Sequence, residues 1–148
     1  MELGVAVPGD VPQLVELLGI LFAQEHELSP DPDKQRRALE MILADPSRAR
    51  IYVAREGAKV LAMAALHFTI STAEGGKVAG LEDCIVRPAQ RRKGIGNALL
   101  EYIIAQARAE GALRVMLLTD GDNARAQALY RRMGFTPSSM LAMRLKFR

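Results

Sequence analysis

The stretch that most limits what this chain can fold into runs from Val86 to Leu100. There an apolar strand gives way to Arg87-Pro88-Ala89-Gln90-Arg91-Arg92-Lys93-Gly94-Ile95-Gly96 and then to a helical pattern. A strand that feeds a helix through a short loop points to a layered α/β architecture. The loop also carries chemistry. A helix start offers unpaired N–H groups and a partial positive charge, and glycine lets a ligand approach the backbone closely. Such a loop can hold a pyrophosphate, with Arg91, Arg92 and Lys93 as countercharge. Taken alone, it reads more readily as a surface turn that needs glycine only for its shape. Two familiar phosphate motifs do not fit. The P-loop wants four residues between its glycines and then Gly-Lys-Ser/Thr, and the dinucleotide fingerprint wants a third glycine; Asn97, Ala98 and Leu99 supply neither.

The rest of the chain alternates strand and helix signals without a repeat or a Pro/Gly/Ser-rich linker, so one domain over residues 1–148 is expected. Leu3 to Val7 reads as a first strand. Asp10, with Gln13 three residues later, reads as a capped start for a helix to about Glu27, buried along Leu14, Leu17, Leu18, Leu21 and Phe22. Asp31-Pro32 starts a second helix, which Asp45-Pro46 stops. Arg50 to Arg55, Lys59 to Ser71 and Lys77 to Val86 read as a three-stranded meander turning at Glu56-Gly57-Ala58 and Gly75-Gly76. Gly94 opens a long helix closed by Gly111, and Leu113 to Thr119 is an apolar strand. Asp122 is expected to cap a last helix to Met133, ended by Gly134, and the alternating segment Met140 to Phe147 to complete the sheet.

Composition excludes several classes. With 49% apolar and 25% charged residues, the 148-residue chain is neither disordered nor fibrous. No apolar run reaches bilayer length, and Met1-Glu2-Leu3-Gly4 lacks the features of a secretory signal, so a cytoplasmic location without membrane contact is expected. One cysteine, Cys84, and two histidines, His26 and His67, give no metal-ligand spacing, so no metal is expected. The net charge is only +3. The basic groups cluster at Arg87, Arg91, Arg92 and Lys93 and again at Arg125, Arg131 and Arg132. Nucleic acid is disfavoured as their partner, because no stacking aromatics interleave with them and Trp is absent.

Further along comes Asp122-Asn123-Ala124-Arg125-Ala126-Gln127-Ala128-Leu129-Tyr130-Arg131-Arg132-Met133-Gly134-Phe135. Asn123 and Tyr130 are seven positions apart, nearly two helical turns, so both project from one side of the helix. Together, Arg91-x-x-Gly94-x-Gly96 and this downstream block resemble the two signature blocks of the GNAT superfamily, the general-control-related N-acetyltransferases, in their order and spacing. The likeness covers nearly the whole chain and is most specific over residues 81–135.

The resemblance implies an α/β (α+β) fold with a central mixed, mainly antiparallel sheet of six to seven strands, flanked by about four helices. Its fourth and fifth strands splay apart to admit the pantetheine arm of acetyl-CoA. It implies transfer of an acetyl group to a primary amine, expected to be that of a small molecule, by direct attack in a ternary complex. By the same likeness, a backbone N–H around Cys84-Ile85-Val86 polarises the thioester, with Ile85 and Val86 as cofactor contacts. Arg91, Arg92, Lys93, Gly94, Ile95, Gly96 and Asn97 hold the pyrophosphate, and Asn123 meets the pantetheine arm. Tyr130 sits by the sulfur and protonates the leaving thiolate; a phenol of pKa ~10 keeps its proton at neutral pH.

The proton of the attacking amine needs an acceptor. Glu82 and Asp83 are the candidates, with Glu82 placed first and water relay left open. They lie on an apolar strand, where alternation points them to opposite faces. Leu81 to Val86 also resembles, locally, the hexosamine-phosphate branch of the superfamily. Cys84 has no neighbouring histidine and reads as a small core residue rather than a nucleophile. His67 and Glu25-His26-Glu27 stand second as groups facing the acceptor. A lysine or N-terminal protein acetyltransferase, and an acyl-CoA sensor without turnover, are the competing functions. A homodimer through the terminal segment, Leu141 to Phe147, is an open expectation.

Overall fold

The computed structural model describes residues 1–147. They fall into two compact units, one spanning Met1–Leu117 and one beginning at Leu118. The first contains β1 (Glu2–Val5), a 3₁₀ turn at Pro8–Asp10, α1 (Val11–Gln24), α2 (Pro32–Ala44), β2 (Ala49–Glu56), β3 (Lys59–Ser71), β4 (Gly76–Val86), α3 (Ile95–Ala109) and β5 (Val115–Leu117). The five strands make one sheet in chain order, antiparallel from β1 to β4 and parallel between β4 and β5. The second unit carries α4 (Ala124–Arg132). No helix among the described residues is long and apolar enough to cross a membrane.

The expected class therefore holds: a mixed, mainly antiparallel sheet with four helices. Its central strands are buried on both faces because helices lie on each side. Ile51, Val53, Met63 and Ile85 pack into one cluster with Leu14, Leu17 and Leu18 of α1 and Leu39 of α2. Tyr52 points the other way and meets Tyr102 of α3 edge-on, with ring centroids 5.9 Å apart. Directly opposite Tyr52 and Ala54 on β3 are Ala64 and Ala62. These short side chains leave room for α3, whose Leu99, Leu100 and Ile103 are fully buried.

Local signals set most boundaries. Asp31 caps α2 by accepting from the Lys34 N–H at 3.2 Å, with Pro32 in the first turn. Gly94, Gly111 and Gly134 all take the left-handed conformation that stops or starts a helix.

Four expectations need correction. Asp10 does not cap α1; its carboxylate accepts from the Val7 N–H at 2.8 Å and from both terminal nitrogens of Arg55 at 2.9 and 2.6 Å. Gln13 likewise reaches across to the β2–β3 turn, donating to the Ala58 carbonyl and accepting from the Val60 N–H. α4 is capped by Asn123 rather than Asp122, through a 3.1 Å bond from the Ala126 N–H. Finally, β5 is three residues long and 140–147 forms no strand, so the sheet has five strands instead of six or seven. The alternation in 140–147 is genuine, but a strand exists only as part of a ladder. Met140, Leu141, Met143, Leu145 and Phe147 all remain exposed.

The Asp10–Arg55 pair ties the start of α1 to β2 across a part-buried contact, with Asp10 covered and Arg55 21% exposed. The hydrogen bonds from Arg55 lower the Asp10 pKa, burial opposes them, and the Val7 N–H adds to the lowering. Asp10→Asn weakens two charge-assisted hydrogen bonds while Arg55 still reaches solvent, so it should destabilise the protein by about 1 to 2 kcal/mol in urea titration at pH 7. A depressed carboxylate gives its full stabilisation above the unfolded value near 3.8 and loses it as pH falls through the folded value. The gap between wild type and Asp10→Asn should therefore close in acid.

Candidate functional site

β4 runs alongside β5 for only three residue pairs, from Ala79 with Val115 to Leu81 with Leu117, and then continues alone to Val86. This is the expected parting of the fourth and fifth strands. At the same place β4 loses register with β3. Ala65 faces Glu82 and Met63 faces Ile85, so β4 carries one residue more than β3 across the step. The extra residue is a β-bulge. Asp83 takes a left-handed backbone there, with φ 56°, which is uncommon for a residue with a Cβ.

The bulge decides where side chains go. Ile85 is 4% exposed and belongs to the α1–α2 cluster. Regular alternation from Glu82 would have sent it to the other face. The same break removes the strict alternation expected of Glu82 and Asp83. Glu82 is exposed, at 3.7 Å from Nε2 of His67, while Asp83 is half-buried. Burial pushes the Asp83 carboxyl up to about 6, with the Glu82 charge adding to the rise and His67 opposing it. Cys84 lies within the bulge and is half-buried.

Beyond Val86 the chain is pinned before it becomes a loop. The Arg87 N–H donates to the Leu61 carbonyl at 2.8 Å, its Nε donates to the Val60 carbonyl at 3.0 Å, and its guanidinium pairs with Glu16. Arg87 is thus an anchor of the loop, a role that its place in a basic cluster concealed. Arg91 Nε donates back to the Val86 carbonyl at 3.2 Å. Arg92 has φ 64° and is exposed, and Lys93 is exposed with Nζ 3.3 Å from the Gln90 amide oxygen.

Gly94 starts α3 with φ 78° and no side-chain cap. The first-turn N–H groups of Ile95, Gly96 and Asn97 are therefore not taken by a side chain, which suits a bound phosphate. Ile95 contributes only its backbone to that surface, because its side chain is 7% exposed in the core.

In the second unit, Asn123 and Tyr130 occupy one side of α4. The Asn123 Oδ1 accepts from the Ala126 N–H and so is committed to capping the helix. Gln127 Nε2 donates to the Asp120 and Gly121 carbonyls, both at 3.0 Å, and so fixes the loop that enters the helix. Tyr130 is half-buried and meets Phe135 edge-on at 5.8 Å, and its carbonyl accepts from the Phe135 N–H. The structure thus assembles Glu82, Asp83, Ile85, Val86 and residues 91–97 on consecutive segments of one unit, and Asn123 with Tyr130 on one helix of the other.

Sequence reasoning missed the bulge. Two adjacent carboxylates in an otherwise apolar strand were its signal, since such a pair breaks the alternation a regular strand keeps.

Comparison with known proteins agrees with this architecture. Residues 13–135 match the model of the acetyltransferase (GNAT) family. A 57-residue stretch is 44% identical to a mycothiol acetyltransferase of Beutenbergia cavernae; it covers 38% of this chain and only 19% of that protein. An integron cassette protein from the mobile metagenome of Cole Harbour Salt Marsh superposes with a TM-score of 0.85 at 27% identity, over 99% of this chain and 90% of its own. A predicted acetyltransferase of Clostridium acetobutylicum, solved with acetyl-CoA, has the same fold at a TM-score of 0.78 and 18% identity, over 97% of this chain and 95% of its own. This chain, with its parted fourth and fifth strands and its uncapped α3, belongs to the GNAT acetyltransferase family.

Proposed function

We propose that the protein transfers the acetyl group of acetyl-CoA to the primary amine of a small molecule, by direct attack in a ternary complex. The bulge at Asp83 carries this reading. It puts a half-buried carboxyl, pushed up to about 6 by burial and the Glu82 charge, just past the point where β4 leaves β5. A base poised close to the working pH is what deprotonation of an amine requires. The family match and the relative named for mycothiol acetyl transfer support acetyl as the group moved.

The pyrophosphate of acetyl-CoA would lie on the first-turn N–H groups of α3, with Arg91, Arg92 and Lys93 around it. Asn123 would meet the pantetheine arm. A backbone N–H of the Cys84 to Val86 segment would donate to the thioester oxygen, which becomes an oxyanion on attack. The amine nitrogen bonds to the carbonyl carbon and its proton passes to Asp83. Collapse breaks the carbon–sulfur bond, and Tyr130 gives the leaving thiolate its proton. Asp83 replaces Glu82 as the favoured proton acceptor, because Glu82 is exposed and paired with His67. A tyrosine at position 130, where the resemblance puts the leaving-group acid, favours turnover over a sensor that only binds.

Calorimetric titration should show micromolar binding of acetyl-CoA, weakened about tenfold by Arg92→Glu with no change in melting temperature. Tyr130→Phe should lower kcat at least about a hundredfold while leaving acetyl-CoA affinity intact. A base must be unprotonated to work, so log kcat/KM should climb with unit slope up to about pH 6 and then level. Asp83→Asn should remove that limb along with most of the rate; a limb that persists would return the role to Glu82 or to water.

A further inference from the structure

His67 lies on β3 directly opposite Gly80 of β4. Glycine there leaves open space: a Cβ built on Gly80 meets nothing within 4 Å. The next side chain on the same face of β4 is Glu82, and the His67 Nε2 stands 3.7 Å from its carboxylate. Diagonal neighbours across a ladder lie within reach of long side chains in this way. Glu82 immediately precedes the bulge residue Asp83, so the orientation of its charge bears directly on that carboxyl.

We infer that His67 is a positioning residue for acyl transfer: its contact with Glu82 engages that carboxylate, so that Asp83 alone is left to take the proton of the amine. The inference rests on the reading of Asp83 as the base.

Two carboxylates on adjacent residues repel, and each makes the other harder to ionise. A protonated imidazole against Glu82 counters that field, in addition to the direct effect of the His67 charge on Asp83. The opposed effects of Glu82 and His67 on Asp83 follow this arrangement. Other elements packed on β4 bring little charge to the bulge. β5 carries only Val115, Met116 and Leu117. α1 carries Glu16, which Arg87 holds, and α3 brings Tyr102, packed on Tyr52.

The test is the pH profile of kcat/KM for the intact protein, with acetyl-CoA and an amine that the assay has shown to be a substrate. His67→Gln should move the acidic limb upward by about 1 unit, and Glu82→Gln should move it downward. Since His67 acts through Glu82, His67→Gln added to Glu82→Gln should move the limb by less than half as much. His67→Lys, which keeps a cation at every pH used, should leave the limb at or below its wild-type position and serves as a second variant if glutamine lowers the melting temperature. Acetyl-CoA affinity should not change in any of them. An unmoved limb in His67→Gln, or an equal shift with and without Glu82, overturns the positioning role while the Asp83 reading survives. Loss of the Asp83 reading would show separately, as a wild-type limb that Asp83→Asn leaves in place.

Discussion

β4 has to satisfy two partners that ask for different things. Toward β3 it must stay paired from Gly76 to Val86, because that ladder holds the middle of the sheet. Toward β5 it must stop pairing at Leu81. One inserted residue reconciles these demands. The bulge bends and twists the strand where the neighbours part, and it returns Ile85 to the α1–α2 cluster while the carboxyl of Asp83 stays outside the ladder. The left-handed backbone of Asp83 costs about 1 to 2 kcal/mol relative to a regular strand. Ladder bonds on either side and the burial of Ile85 offset it.

The loop after β4 inherits its position from the same ladder. Arg87 is fastened to Val60 and Leu61 of β3 and to Glu16 of α1, so the basic segment leaves the sheet from a fixed point. At the far end of α3, Glu110 is gripped by Arg50 of β2 and Lys77 of β4, and both cations also lie over the Phe68 ring. Clamped there and buried along Leu99, Leu100 and Ile103, the helix presents its first turn in one orientation. Preorganised N–H groups bind an anion better than mobile ones because little ordering remains to be done. Arg92 and Lys93 can then adapt to the ligand while the backbone does not.

How far the sequence could be read follows from how local each signal is. Asp31-Pro32, Gly94, Gly111 and Gly134 act within one turn of chain, and each was legible. Asp10 and Gln13 carry a local capping signature, but Arg55 and the β2–β3 turn compete for them from 45 or more residues away and win. A charged partner outbids a backbone N–H because the bond is charge-assisted and bidentate. The segment 140–147 shows the converse limit, since alternation states which side is apolar without stating what it pairs with. The two signature blocks were legible because their residues sit in fixed sequence spacing. The pairing of His67 with Glu82 was not, since it depends on which residue of β3 falls opposite Gly80.

The stretch Glu82 to Val86 is a strand edge that β5 leaves unpaired. Such an edge is a template for association unless the chain guards it, commonly with charge or a bulge. Here both guards fall on adjacent residues: Glu82 projects into solvent and Asp83 breaks the ladder. An extended ligand with amide groups, as the pantetheine arm is, could use the remaining backbone groups much as a neighbouring strand would. The features that keep β4 from pairing with another chain are then the same ones that would shape the proposed reaction site, which would account for a strained aspartate and an adjacent like charge standing together in an otherwise apolar strand.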